Sequence, residues 1–314
     1  MTMTATYRNM PTPKFKEAAY GRIRRAFKTL RPPAPISGAA IAHMAKAMGC
    51  EPELSAVYRA AKFTPKGNRR VLLSESAKTE ATEAHGGWLN RIIYLSPADL
   101  AGLGTLCPWA TPACIRACLN TAGRGQMTRT QYARVCKTFY LYLDPLGFRA
   151  DLLKEIAAAE RSAVKQGKRL AYRGDGTTDT GLSEYLLDEL GPAVDPYDYT
   201  KDKRRALAFR GTRWNVTLSA TSLADAMAHS ESHRRSTSPV CTKADAMAIG
   251  EYTPNMTLLV KAKGETSIYK AKAEVERIVA EGLDWWHGPL VNGDISDARH
   301  LDPDGALVLL AAKG

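Results

Sequence analysis

The 314-residue chain lacks any long apolar run. The longest purely apolar stretch, residues 306–312, falls far short of the roughly 20 residues a membrane span needs. The opening MTMTATYRNM carries no apolar segment of the secretory kind. Neither export nor a membrane is therefore expected, and the sequence reads as soluble, intracellular and cytoplasmic. No Ser/His/Asp order, Walker loop or HExxH motif appears, which counts against the triad hydrolases, zinc peptidases and nucleoside triphosphatases. Internal repeats and low-complexity segments are missing as well.

Acidic residues are scarce at one end. Residues 1–70 hold 14 Lys/Arg against only Glu17, Glu51 and Glu53, a net of +11 within a total of +12. The rest of the chain is electrically neutral to within one charge. A neutral body with a basic N-terminal extension reads as a nucleic-acid-docking arm, or as a solvated tail that aids solubility. With 45% hydrophobic residues the chain can bury a real core.

The pattern divides the chain near residue 70. Residues 14–30 place Phe15, Ala18, Ala19, Ile23, Phe27 and Leu30 at helical steps with arginines between them, and Arg-Pro-Pro-Ala-Pro ends the run. Two short helices follow about a turn at Gly49, the first with Ser37 as its cap. They resemble a helix-turn-helix whose turn is about two residues too long, with Gly49 and Val57, Tyr58 and Arg59 as the places for base contacts; an ordinary helical hairpin is the alternative. From 71 to 314 the pattern is α/β, with strands expected at 92–96, 170–173, 197–200, 216–219, 257–261, 289–292 and 306–310. Helices are expected at 127–143, 148–166, 182–190, 222–232 and 270–281. Such alternation implies a parallel sheet, either open or a partial βα barrel, with functional residues at the carboxyl ends of the strands.

Six cysteines are present, and three of them, Cys107, Cys114 and Cys118, have the spacing C-x6-C-x3-C. One helical turn puts Cys114 and Cys118 on one face, and Pro108 and Pro112 stiffen the loop that returns Cys107. In a chain without an export signal this clustering favours a metal over disulfides. The three thiolates suit an iron–sulfur cluster, [4Fe-4S] in form, with one open iron. They equally suit zinc with a fourth ligand among Cys136, His85 and His229.

Four further stretches carry polar groups. Gly123 and Arg124 follow the cysteines and could hold a carboxylate or phosphate, or merely end a helix. Arg173-Gly174-Asp175-Gly176-Thr177-Thr178-Asp179 follows a strand, as a ligand-binding loop or a polar turn. Tyr197, Tyr199 and Lys201 fall on one side of the next strand, with Asp198 and Thr200 on the other. Residues 292–302 hold Asp294, Asp297, Arg299 and Asp302 without the EF-hand spacing, so a loop fastened by Arg299 competes with calcium there. The resulting assignment gives Asp179, Tyr199 and Lys201 the catalysis and the three cysteines the metal. Gly123, Arg124, Arg173, Asp175, Thr177, Thr178, Asp294, Asp297 and Arg299 then hold cofactor or substrate.

Several of these runs occur together in one known family. SESAKTEATEAHGGWLNRIIYLSPADLAG, the cysteine block with NTAGRG, RGDGTTD, YDYTK and NGDISDARHLDP resemble, in this order, the bacteriophage gene product 88 family over roughly residues 74–314. The resemblance implies a phage or prophage origin and a host cytoplasm, and it brings no established activity. Arg173-Gly174-Asp175 departs from the family's usual Arg-Leu-Asn, and the acidic residue after Asp179 is displaced, with Glu184 as its counterpart. A looser similarity is to radical S-adenosylmethionine enzymes, which place three cysteines after the first strand of a partial barrel; their C-x3-C-x2-C spacing is absent here. Three readings result. One is an iron–sulfur, radical-S-adenosylmethionine-like enzyme acting on nucleic acid or a nucleotide. Another is a nucleic-acid-binding protein with a structural metal, and the third is a phage accessory protein that binds a host partner.

Overall fold

The computed structural model describes residues 19–29, 35–75, 87–116, 118–121, 123–209, 212–219, 256–260, 268–283, 289–292, 294–295 and 306–311. The chain divides into two compact units: Met1–Glu75 with Arg91–Val194, and Ser76–Asn90 with Asp195–Gly314.

The first unit opens with three helices; of the apolar positions expected in the first, Phe15, Ala18 and Leu30 lie outside the described residues. In α1 (Ala19–Thr29) Ile23, Ala26 and Phe27 are buried, while Arg24, Arg25 and Lys28 are exposed. In α2 (Gly38–Met48) the Ser37 hydroxyl accepts from the Ala40 N–H at 3.2 Å. Gly49 closes it in the left-handed region at φ 67°, where a side chain would be strained. α3 (Leu54–Lys62) follows. These helices pack within the same unit as the α/β elements that come next. Val57 is fully buried and the Tyr58 hydroxyl donates to Asp144 at 2.9 Å. Of the three α3 residues aimed at bases in a helix-turn-helix, Arg59 is the one left exposed.

A short antiparallel pair comes next, β1 (Leu73–Ser74) on β2 (Trp88–Ile93), in register Leu73 with Ile93. The cysteine segment contains α4 (Pro112–Arg116) and two 3-10 turns, Leu119–Thr121 and Gly123–Gln126. Two long helices support it, α5 (Thr128–Leu143) and α6 (Pro145–Lys165). Asp144 caps α6 by accepting from the Gly147 N–H, and Pro145 fits its first turn because that position needs no N–H. β3 (Arg169–Arg173) is buried after its first residue and delivers the Arg173–Asp179 loop. The helix expected at 182–190 is a 3-10 helix, Glu184–Glu189.

The second unit is a parallel sheet of five strands: β4 (Val194–Thr200), β5 (Asn215–Ser219), β6 (Met256–Val260), β7 (Leu290–Asn292) and β8 (Leu307–Ala311). Its order is β4-β5-β6-β8-β7, with Tyr197 opposite Asn215, Leu218 opposite Met256, and Leu307 between Met256 and Leu290. Helix α7 (Lys203–Ala208) precedes β5, and α8 (Ile268–Glu281) buries Ala271 and Val275. The core centres on Leu307, Val308 and Leu309, each wholly buried. Short β-rich runs, with described helices before β5 and between β6 and β7, thus give the α/β architecture the periodicity implied. Among the described residues no barrel closes, so the sheet is open. The helix expected at 222–232 lies outside the described residues.

Candidate functional site

Two loops of the first unit meet at the carboxyl ends of β2 and β3. Gly176 N–H donates to the Ile93 carbonyl at 3.0 Å, and the Thr177 hydroxyl donates to the Leu95 carbonyl at 2.6 Å. Asp179 N–H donates to the Leu106 carbonyl at 3.0 Å, one residue before Cys107. The Cys107 thiol closes the seam, accepting from Ala98 N–H at 3.2 Å and pointing its own hydrogen at the Thr177 carbonyl, 3.7 Å away. Ala98 takes φ 48°, a conformation rare for a residue with a side chain. That strain lies at the residue whose N–H reaches the sulfur.

The glycines of this loop answer to the protein itself. A Cβ on Gly176 would stand 2.6–2.7 Å from Tyr94, Ile92 and the Ile93 carbonyl, and one on Gly174 would stand 2.4 Å from the Ser183 hydroxyl. Asp175 is buried and turned into its own loop. Its Oδ1 accepts from the Thr178 hydroxyl (2.6 Å), Thr180 N–H (2.9 Å) and the Thr180 hydroxyl (2.7 Å). Its Oδ2 accepts from Gly181 N–H at 2.7 Å. Arg173 donates from Nε to the Asp175 carbonyl at 3.1 Å. Arg173, Asp175, Thr177, Thr178 and Asp179 are thus brought together beside Cys107.

Burial pushes the Cys107 thiol up to about 12, and the nearby Asp175, Asp179 and Cys118 push in the same direction against the Ala98 N–H. Cys118 accepts from Asn120 N–H at 3.5 Å. Behind it Arg134, buried in α5, donates to the Asn120 side chain and lies 5.2 Å from the Tyr94 ring centre. The Arg134 Nε is buried with no hydrogen-bond partner, and desolvation lowers its pKa. Cys114 is half-buried on α4, its N–H held by the Thr111 hydroxyl at 3.2 Å. Gly123 and Arg124 are exposed at the surface, while Gly125 is buried with no room for a Cβ, which would meet the Leu119 carbonyl. Cys50, Cys107, Cys114, Cys118 and Cys136 form no disulfide. Among the described residues, no group of three or more His, Cys, Asp or Glu side chains stands together as a metal-binding set.

The Gene product 88 family model matches residues 69–314. The chain belongs to the phage gene product 88 family. No curated protein and no solved structure matches it. The gene product 88 region includes all three cysteines and the Arg173–Asp179 loop, and it begins after α3, close to the boundary that composition marks.

The remaining assigned residues of this gene product 88 protein lie elsewhere. In the second unit Lys201 donates to the Ser219 carbonyl at 2.8 Å and its hydroxyl at 3.3 Å, and Tyr199 is half-buried. Tyr197 exchanges hydrogen bonds with Asn90 at 3.0 and 3.1 Å. Asp294 is half-buried with its N–H on the Asn292 side chain, whereas Asp297, Arg299, His85, His229 and Cys241 lie outside the described residues. Cys136 is buried with Tyr132 as hydrogen-bond partner, near Arg70 and Cys50, and burial pushes it up to about 11. No described helix is long and apolar enough to cross a membrane.

Sequence reasoning missed Arg134, Asn120 and Lys137. The signal was available: Arg134 and Lys137 interrupt the run Val135-Cys136 and Phe139-Tyr140-Leu141-Tyr142 in a helix with nine consecutive buried residues. A charge inside such a run is costly unless something partners it.

Proposed function

We propose that this gene product 88 protein is a phage enzyme in which Cys107, Cys114 and Cys118 hold an iron–sulfur cluster, acting on nucleic acid or a nucleotide in the host cytoplasm. The observation that carries the reading is the lacing of the Cys107 loop to the Arg173–Asp179 loop, which leaves Asp175, Asp179 and Cys118 each within electrostatic reach of Cys107. The negative charge of Asp175 and Asp179 near Cys107 would favour a cation bound by the thiolates. Thiolate ligation would remove the proton that burial otherwise holds on Cys107. Cys114 would join the set as the α4 segment closes on the metal, since ligand binding and loop ordering are coupled. The cluster would supply one-electron chemistry, with S-adenosylmethionine as the candidate co-substrate at an open iron. Arg124 and the Gly123 backbone, exposed beside the loop, would receive an anionic group.

Anaerobic purification followed by iron, sulfide and zinc analysis tests this. A brown protein absorbing near 400 nm, with iron and sulfide in equal amounts, supports the cluster. Zinc alone would support a structural metal in a nucleic-acid-binding protein, and a metal-free folded chain would overturn both. The first unit's exposed Arg24, Arg25 and Lys28 favour nucleic acid as the partner in either case.

A further inference from the structure

A second constellation lies away from the cysteines, where β1 runs past α5. Lys137 is buried in α5, with 6% of its surface exposed. Its Nζ reaches the Leu72 carbonyl at 2.7 Å and the Ser74 hydroxyl at 3.2 Å. Ser74 in turn lines an open cleft of about 570 Å³ with Arg69, Arg70, Arg91, Glu75 and Glu155. The Glu155 carboxylate accepts from Leu72 N–H and Leu73 N–H at 2.9–3.0 Å, which fixes the backbone leading into the nucleophile position.

We infer that Ser74 and Lys137 form a serine–lysine dyad that hydrolyses carboxylate-bearing esters entering this cleft. The geometry is that of an activated nucleophile: a serine lining a cleft, a base within hydrogen-bond reach of its hydroxyl, and a third group, the Leu72 carbonyl, that orients the base. Desolvation lowers the Lys137 pKa to about 8, opposed by Glu155 and assisted by Arg134 and Arg70. An amine of that kind is neutral in about one molecule in ten at pH 7. After losing one proton, Nζ keeps its bond to Leu72 and turns a lone pair to Ser74.

The reaction balances without a cofactor. Ser74 Oγ bonds to the ester carbonyl carbon as its proton passes to Lys137 Nζ. Collapse of the tetrahedral adduct breaks the ester C–O bond, and the departing alkoxide takes that proton. Water then attacks the acyl-serine, Lys137 accepts its proton, and Ser74 recovers it as the acid leaves. The cleft's arginines set the substrate's charge. Arg91 pairs with Glu75 at 2.7 Å, and the Glu75 side chain is 56% exposed, so a substrate carboxylate can displace it. Arg69 is engaged by Asp151 and Arg70 by the Ala60 carbonyl.

A fluorophosphonate probe on the full-length protein is the direct test. Its phosphorus bonds to an activated serine oxygen while fluoride leaves, and peptide mass spectrometry locates the adduct. The expected result is labelling at Ser74, at a rate that climbs with pH to a plateau with a midpoint near 8. Ser74→Ala should abolish the adduct, and Lys137→Met should slow it roughly 100-fold in a protein that still unfolds cooperatively. Should Lys137→Met not fold, the wild-type pH profile and Ser74→Ala decide alone. With nitrophenyl hemisuccinate against nitrophenyl acetate, the carboxylate ester should be preferred at least roughly tenfold, and Arg91→Gln should erase that preference. No Ser74 adduct at any pH, or full-rate labelling of a folded Lys137→Met protein, overturns the dyad. Equal rates on the two esters overturn the assigned substrate class.

Discussion

Replacing Asp175 by alanine tests whether the Arg173–Asp179 loop is held by its own carboxylate. The side chain accepts four hydrogen bonds, two from backbone N–H groups of Thr180 and Gly181 and two from hydroxyls of Thr178 and Thr180. Alanine leaves both N–H groups buried without an acceptor, at about 1–3 kcal/mol each. The hydroxyls can rotate toward other acceptors and lose less. The sum is about 4 kcal/mol, toward the top of what single substitutions cost. For a unit of this size that lowers the melting temperature by about 8–16 °C. Asparagine keeps Oδ1 for Thr178 and Thr180 but presents either an amide N–H to the Gly181 N–H or a weaker, uncharged acceptor, so about 2 kcal/mol is expected. Urea denaturation followed by circular dichroism measures both. An alanine variant within about 1 kcal/mol of wild type would refute the carboxylate as the loop's hub.

Gly176→Ala should cost about 1–3 kcal/mol, because its Cβ would overlap Tyr94, Ile92 and the Ile93 carbonyl; chemical denaturation checks it, and an unperturbed protein would mean β2 can yield. Substituting Cys107, Cys114 or Cys118 by alanine should each lower iron or zinc content, while Cys50→Ala and Cys241→Ala should not; equal metal in all five variants sinks the ligand assignment. Reversing Arg24 and Lys28 to glutamate should weaken DNA or RNA binding and flatten the salt dependence by about 0.9 for each phosphate no longer neutralised, with an unchanged slope refuting that surface. Lys137 supplies a pH signature. Its folded pKa near 8 lies below the unfolded value of about 10.4, so the unfolded chain binds more protons between the two and stability at this site rises with pH across that window. Urea melts at about pH 7 and about pH 10 should show wild type gaining about 2–3 kcal/mol on Lys137→Met. A constant difference would contradict the buried charge. Alkaline losses from the raised Cys107 and Cys136 thiols run the other way and cancel in that comparison.

The sheet was legible where short apolar runs stand between turn residues, and β3, β5 and β8 fall within a residue of expectation. β2 begins earlier than expected because Asn90 and Arg91 break the apolar pattern. In the fold Asn90 is satisfied by Tyr197 and Arg91 by Glu75, partners that no local window contains. β1 has two residues and therefore no period to read. The candidate site was legible as chemistry rather than as wiring. Arg173–Asp179 stood out for its polar density, yet nothing in the string tells a carboxylate aimed at a ligand from one that ties its own loop. That distinction depends on Thr180 and Gly181, which stand just past the polar motif. Arg134 and Lys137 escaped because helical periodicity averages over a buried charge instead of flagging it.

The packing of the basic helices bears on what kind of nucleic-acid contact they can make. In α1 Arg22 turns inward, 4.6 Å from the Tyr142 ring centre, and Arg24, Arg25 and Lys28 remain on the surface. Charges on a folded helix keep fixed spacing, so they would engage phosphates without the ordering cost that a disordered arm incurs. The α2–α3 hairpin is committed elsewhere. Tyr58 binds Asp144, Lys62 lies 3.7 Å from Asp151 and 5.0 Å from the Tyr140 ring centre, and Val57 is in the core. A recognition helix needs several free side chains converging on base edges, and α3 retains Arg59 for that purpose. Binding through this region should therefore be driven by phosphate contacts and indifferent to sequence. Competition between unrelated duplexes of equal length would measure it. A preference above about tenfold for any one of them would show that base edges are being read after all, at the scale of one good bidentate contact.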